Sequence, residues 1–143
     1  PSRSPVFIAA ALKDPDGANL DRVQIVKGWL DRKGNMQEKV YDVAWSDNRQ
    51  PDPRTGKLLP VGSTVNVERA TYTNTIGAAQ LAAVWTDPDF DPKVRAFYYL
   101  RAIEIPRPRW STYDAAYFDL ELPEEIPRTV QDRAYTSPIW YNP

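Results

Sequence analysis

Cysteine and histidine are both absent from these 143 residues, and each absence closes off a class of chemistry. Without Cys there is no disulfide, no thiolate nucleophile and no Cys-ligated zinc. The redox compartment stays open, because such a chain is at home in either. Without His there is no imidazole base, so no Ser-His-Asp or Cys-His arrangement can form. The common His-containing zinc sites are excluded as well. Chemistry built only on carboxylates, Lys, Tyr or Arg remains open. An excess of either charge is also missing: 18 basic and 19 acidic side chains leave a net charge of -1. That balance offers no overall attraction to nucleic acid or to an anionic membrane, and neither partner is expected. Long apolar runs are lacking too. The longest, VFIAAAL from Val6 to Leu12, is of strand length and too short to cross a membrane. None of these residues reads as a signal peptide.

What is present fits one domain. Hydrophobic residues make up 42% of the chain, enough for a globular core. A chain of this size buries roughly 68–70% of its unfolded surface without help from metals or disulfides. The chain begins at Pro1 instead of Met, and we read it as the C-terminal fragment of a larger protein, with 1–143 as a single sandwich-like domain.

Residues 6–12 read as a buried strand, with a short alanine-rich helix as the alternative. The strand ends at the turn signal Asp14-Pro15-Asp16-Gly17. Residues 22–30 and 38–45 alternate and are separated by about five polar residues, so they read as a hairpin. Residues 46–60 form a polar, Pro-containing loop, long enough to be either functional or a flexible excursion. Residues 62–72 and 80–86 read as further strands. Residues 93–105 (KVRAFYYLRAIEI) are apolar on both parities, which places that strand centrally in its sheet. Arg101 and Glu104 interrupt it, and a salt bridge across the sheet is the simplest way to satisfy them. Pro106-Arg107-Pro108 should stop the strand. Ser111-Thr112-Tyr113-Asp114 reads as a hydroxyl-capped helix start with an acid in the first turn, ending near Phe118. Residues 120–128 read as an irregular crossing, 129–134 as another helical turn, and 137–141 as a last strand. The expected fold is all-β: an antiparallel, immunoglobulin-like β-sandwich with one or two short helices in the C-terminal third.

Four groups of residues merit a chemical reading. Asp87, Asp89 and Asp91 alternate as in a calcium loop, but the sixth position is Pro92 and the twelfth Tyr98, where the EF-hand needs Gly and Glu. They are weak metal candidates, and a turn braced by Asp side chains is the simpler reading. Glu121, Glu124 and Glu125 could pair as glycosidase carboxylates, yet they flank Pro123 in a surface segment. Trp29, Trp45 and Trp85 lie in strand patterns and read as core. Trp110, Tyr113 and Tyr117 are the better candidates for an exposed aromatic platform. Arg107, Arg109, Trp110 and Tyr113 form the candidate binding corner, where Arg beside Trp can hold an anion or make a cation–π contact. The structural alternative is that they hold the Pro-rich crossover in place.

Five stretches, LDRVQIVKGWLD, VYDVAWS, VWTDPDFDP, AFYYLRAIEIPRPRWSTYDA and RAYTSPIWYNP, together resemble the C-terminal region of a bacterial family called domain of unknown function 3604. The resemblance implies an upstream part similar to polymerase-and-histidinol-phosphatase metallohydrolases, with His and Asp ligands for a divalent metal. This chain has no His, so none of those ligands maps onto it, and no cofactor is expected within it. The resemblance also implies an exported or periplasmic setting. The expected function is a non-catalytic accessory domain of a metal-dependent phosphoesterase-like hydrolase, partnered by the upstream domain. The alternatives are an independent carbohydrate or polymer binding module and, more remotely, a self-contained carboxylate hydrolase.

Overall fold

The alternating stretches of sequence become the longest strands. In the computed structural model, whose described residues are 3–143, β1 is Val6–Leu12, β2 Leu20–Leu30, β3 Met36–Trp45, β4 Gln80–Thr86 and β5 Ala96–Glu104. β2 and β3 form the expected hairpin. Its connection is closed by Asp31, whose Oδ1 accepts the backbone N–H groups of Lys33 and Asn35 at 2.9 Å each. Every strand pairing is antiparallel, and the protein is mostly β.

The larger sheet has the order β3-β2-β5, and the far edge of β5 is shared by two short strands, β8 (Arg133–Tyr135) and β9 (Ile139–Tyr141). β5 is therefore central, which is why both of its faces are apolar. β1 and β4 form a separate two-stranded ribbon. Its inward side chains Ala9 and Leu81 bury against Leu20, Val23 and Ala102 of the sheet. A second cluster joins Ile25, Ala96 and Tyr98 to Phe7, Trp29 and Trp85. Each large apolar side chain buried this way contributes about 1.5–3 kcal/mol. Trp29 and Trp85 thus pack as their strand positions require. Trp45 is half-buried, and its Nε1 donates to the Arg49 carbonyl at 2.6 Å.

Between β3 and β4 the chain runs irregularly, and residues 62–72 do not form the expected strand. Only Asn66 and Thr71 make an isolated bridge. Local side chains compete for the backbone there: Asn66 Oδ1 accepts Arg69 N–H at 2.9 Å, and Thr64 Oγ1 accepts Thr73 N–H at 3.1 Å. Ala70 turns the chain in the left-handed region at φ 49. Nor are residues 46–60 a free excursion. Arg49 donates through Nη2 to the buried Asp21 carboxylate at 2.6 Å and through Nη1 to the Leu59 carbonyl at 2.8 Å. Farther along, Asn19 Nδ2 donates to the carbonyls of Asn74 and Ile76.

The C-terminal third departs most from expectation. After β5, Arg107–Pro108 forms a short strand, β6, and pairs with β7 (Thr129–Val130). Proline therefore ends the long strand but does not prevent a two-residue edge pairing. The one helix, α1, spans Trp110–Phe118 with Arg109 at its N-cap and no side-chain cap. Ser111 and Thr112 lie inside the helix and are buried, and Asp114 falls beyond the first turn. Thr112 Oγ1 donates to the Arg128 carbonyl at 2.7 Å instead of capping. The helical turn expected over 129–134 is replaced by β7 and β8. So short a segment has little helical stability of its own, and the edges of β6 and β5 offer backbone pairing to Thr129–Val130 and Arg133–Tyr135.

Candidate functional site

The chain leaves β6, turns at Arg109 and enters α1 within four residues, which brings Arg107, Arg109, Trp110 and Tyr113 around one open cleft. With Pro108, Pro127, Thr129, Val130 and Asp132 they line a volume of about 640 Å³. The two prolines give it stiff walls. Trp110 and Tyr113 stand one helical turn apart on α1, and Trp110 is 68% exposed. Tyr117 continues the same helical face and is 83% exposed. α1 therefore turns its hydroxyls to the protein and its aromatic rings to solvent, the reverse of an ordinary surface helix.

The two arginines differ. Arg107 donates through Nε to Oδ2 of Asp132, and its Nη2 makes an ion-pair contact with the same oxygen; the bond to the carboxylate holds its pKa above the ordinary value. Arg109 makes no side-chain hydrogen bond or ion pair among the described residues, and no cation–π contact forms at Trp110. Glu104 lies near this pair. Burial first, and then the negative charge of Asp132, push its carboxyl above the usual range. The salt bridge across the sheet expected for Arg101 and Glu104 does not form among the described residues. Arg101 points to the open face of the sheet and donates to Gln24 Oε1 at 2.8 Å, and Gln24 in turn donates to Asp42 at 2.8 Å.

Asp87, Asp89 and Asp91 follow β4 as a braced turn. Asp87 Oδ1 accepts Asp89 N–H, and Asp91 Oδ1 accepts Lys93 N–H, each at 2.9 Å. Each carboxylate also meets a cation. Asp87, 1% exposed, pairs with buried Lys27 at 2.6 Å and accepts Tyr98 Oη at 2.8 Å. Asp89 accepts Lys39 Nζ at 2.5 Å and Tyr41 Oη at 2.7 Å, which hold it below the usual carboxylate range, Lys39 foremost. Asp91 lies 3.8 Å from Arg32. Burial, reinforced by the accepting carboxylates, raises the phenols of Tyr41 and Tyr98. Among the described residues no cluster of three or more acidic groups is arranged to hold a metal. Glu121, Glu124 and Glu125 are all exposed.

Two surfaces escaped the sequence reading. Residues 6–12 are buried on one face only. Phe7, Ala9 and Ala11 point to the core, while Val6, Ile8, Ala10 and Leu12 point outward and meet Val84 and Ala82 across the register. Ile8 is 84% and Val84 71% exposed. The signal was the run's lack of any polar residue on either parity, which marks a strand with something to cover each face. On the open face of the large sheet, Trp140, Phe97, Tyr99 and Tyr135 form a row with ring centroids 5.2, 6.4 and 6.2 Å apart. Gly28 makes room for it: a Cβ there would come within 2.3 Å of the Phe97 ring. The chain exposes 9793 Å², about 2,300 Å² more than the roughly 7,500 Å² of a compact monomer of its mass.

No helix among the described residues is long and apolar enough to cross a membrane. A family model described as "Protein of unknown function (DUF3604)" matches residues 1–143. Comparison with curated proteins and with solved structures gives no match. With its full length covered by that family model, the chain belongs to the DUF3604 family.

Proposed function

We propose that the chain is a non-catalytic accessory domain that docks the outer face of the β1–β4 ribbon against a metal-dependent, phosphoesterase-like hydrolase part of the same polypeptide. The observation that carries this reading is the ribbon's outer face itself, where Val6, Ile8, Leu12 and Val84 lie exposed side by side. Contiguous apolar surface of this kind marks an interface. The architecture is read as an immunoglobulin-like sandwich whose second layer is reduced to this ribbon. Metal chemistry is assigned to the partner part, because this chain has no His and its aspartates are engaged by Lys27, Lys39 and Arg32. The test is Ile8→Lys with Val84→Glu. In the 143-residue chain alone both substitutions fall on exposed positions, so stability should stay within about 0.5 kcal/mol. In the longer family protein the same pair should lower the melting temperature and the hydrolase activity. An unchanged longer protein would reject the docking role.

A second reading, an independent module for carbohydrate or another polymer, is favoured by the aromatic side chains that α1 presents to solvent at the cleft.

A further inference from the structure

We infer that the cleft between β6, β7 and the start of α1 binds an acidic saccharide, with its sugar ring against Trp110 and its carboxylate on Arg109. The inference rests on the second reading above and gives it a location and a ligand class.

The lining carries two cations, Arg107 and Arg109, and one anion, Asp132; Arg107 is engaged by Asp132 with Glu104 close by, which leaves Arg109 as the lining cation without an anionic partner among the described residues. The planar fork of Arg109 is unengaged among the described residues and matches a carboxylate in two parallel hydrogen bonds. The start of α1 adds to it. Arg109 is an N-cap without a side-chain bond to the helix, and an uncapped helix start favours negative charge. Trp110 supplies a flat apolar face beside these donors, on a helix whose N-cap Arg109 N–H and first-turn Thr112 Oγ1 both donate to the carbonyl of Arg128, just before β7, at 3.0 and 2.7 Å.

Asp132 points to a saccharide over other acidic ligands. Both Arg107 nitrogens converge on Oδ2, so Oδ1 remains an acceptor without a donor among the described residues. A ring hydroxyl donates to it, with Thr129 close by on the wall. A DNA phosphodiester backbone carries no hydroxyl to donate there. The volume of about 640 Å³ lies within the roughly 300–1,000 Å³ of small-ligand sites. Because the cleft is open, a chain can pass across it without needing a free end.

The test is titration calorimetry of the full chain with an oligogalacturonate hexamer and with cellohexaose, a neutral hexamer. The acidic hexamer should bind at least tenfold more tightly. Arg109→Gln should cost that advantage, and Trp110→Ala should abolish binding, with far-UV circular dichroism and melting unchanged because Trp110 is exposed and Arg109 makes no side-chain bond among the described residues. Equal binding of the two hexamers, or uronate binding unmoved by Arg109→Gln, overturns the acidic assignment. Uronate binding that survives both substitutions overturns the cleft but leaves polymer binding elsewhere on the chain. Binding of neither hexamer overturns both.

Discussion

Replacing Lys27 by Met removes one half of the most deeply buried ion pair. The Lys27 ammonium lies 2.6 Å from Asp87, with the two side chains 5% and 0% exposed. It also donates to the Asp89 carbonyl at 2.8 Å and lies 5.3 Å from the centre of the Trp29 ring. Met keeps the length and the apolar stem, so the loss is the charge and its hydrogen bonds. Removing one partner of a buried pair leaves the other charge uncompensated, which costs about 3–5 kcal/mol. A domain of this kind has about 5–15 kcal/mol in all. At a urea slope of about 2 kcal/mol/M, the unfolding midpoint should fall by about 1.5–2.5 M. Adding Asp87→Leu removes the stranded carboxylate and should recover part of the loss. Recovery stays incomplete, because Tyr98 Oη and Asp89 N–H lose their acceptor, at about 1–3 kcal/mol for a buried orphan. A midpoint shift under about 0.3 M for Lys27→Met, or a double variant worse than the sum of the singles, would refute the pair as a structural hub.

Gly77→Ala should destabilise by about 2–4 kcal/mol in urea unfolding, combining left-handed strain at φ 79 with a Cβ only 2.7 Å from Asn19 Cβ and Ile105 Cγ2. Gly34→Ala has the same positive φ but nothing within 4 Å, so it should lose only about 1–2 kcal/mol; equal losses would remove the packing argument. Glu104 gives a pH prediction. Its pKa is raised on folding, so between its ordinary value and the raised one the folded chain binds more protons than the unfolded. Stability from this group is therefore present at low pH and falls as pH rises through that window. Glu104→Gln should flatten that part of the stability–pH curve in denaturant titrations, and an unaltered slope would count against the burial of Glu104.

The hairpin strands β2 and β3 were legible because alternation is a local property: a period of two states which side chains share a face wherever the strand ends up; β1 and β5 were legible as short apolar runs bounded by turn and proline signals. The corner at Arg107, Arg109, Trp110 and Tyr113 was legible for a similar reason, since a short strand leading into a helix keeps sequence neighbours together. Residues 62–72 misled because the same alternation arises without a partner edge, and Asn66 and Thr64 then satisfy the backbone locally. Residues 129–134 misled in the opposite sense, because two free edges claimed a segment with weak preferences of its own.

By itself the sequence determined what this chain lacks: without His or Cys it cannot assemble imidazole, thiolate or common zinc chemistry in any fold. It also determined where the long strands run. Only the tertiary structure decided which charges meet. Lys27 and Asp87 are 60 positions apart and Arg49 reaches Asp21 across 28, and no pattern along the chain encodes such pairings. It likewise decided that one face of β1 and the aromatic face of α1 stay uncovered. Periodicity reports that a face is apolar, and only packing decides whether anything in the same chain covers it.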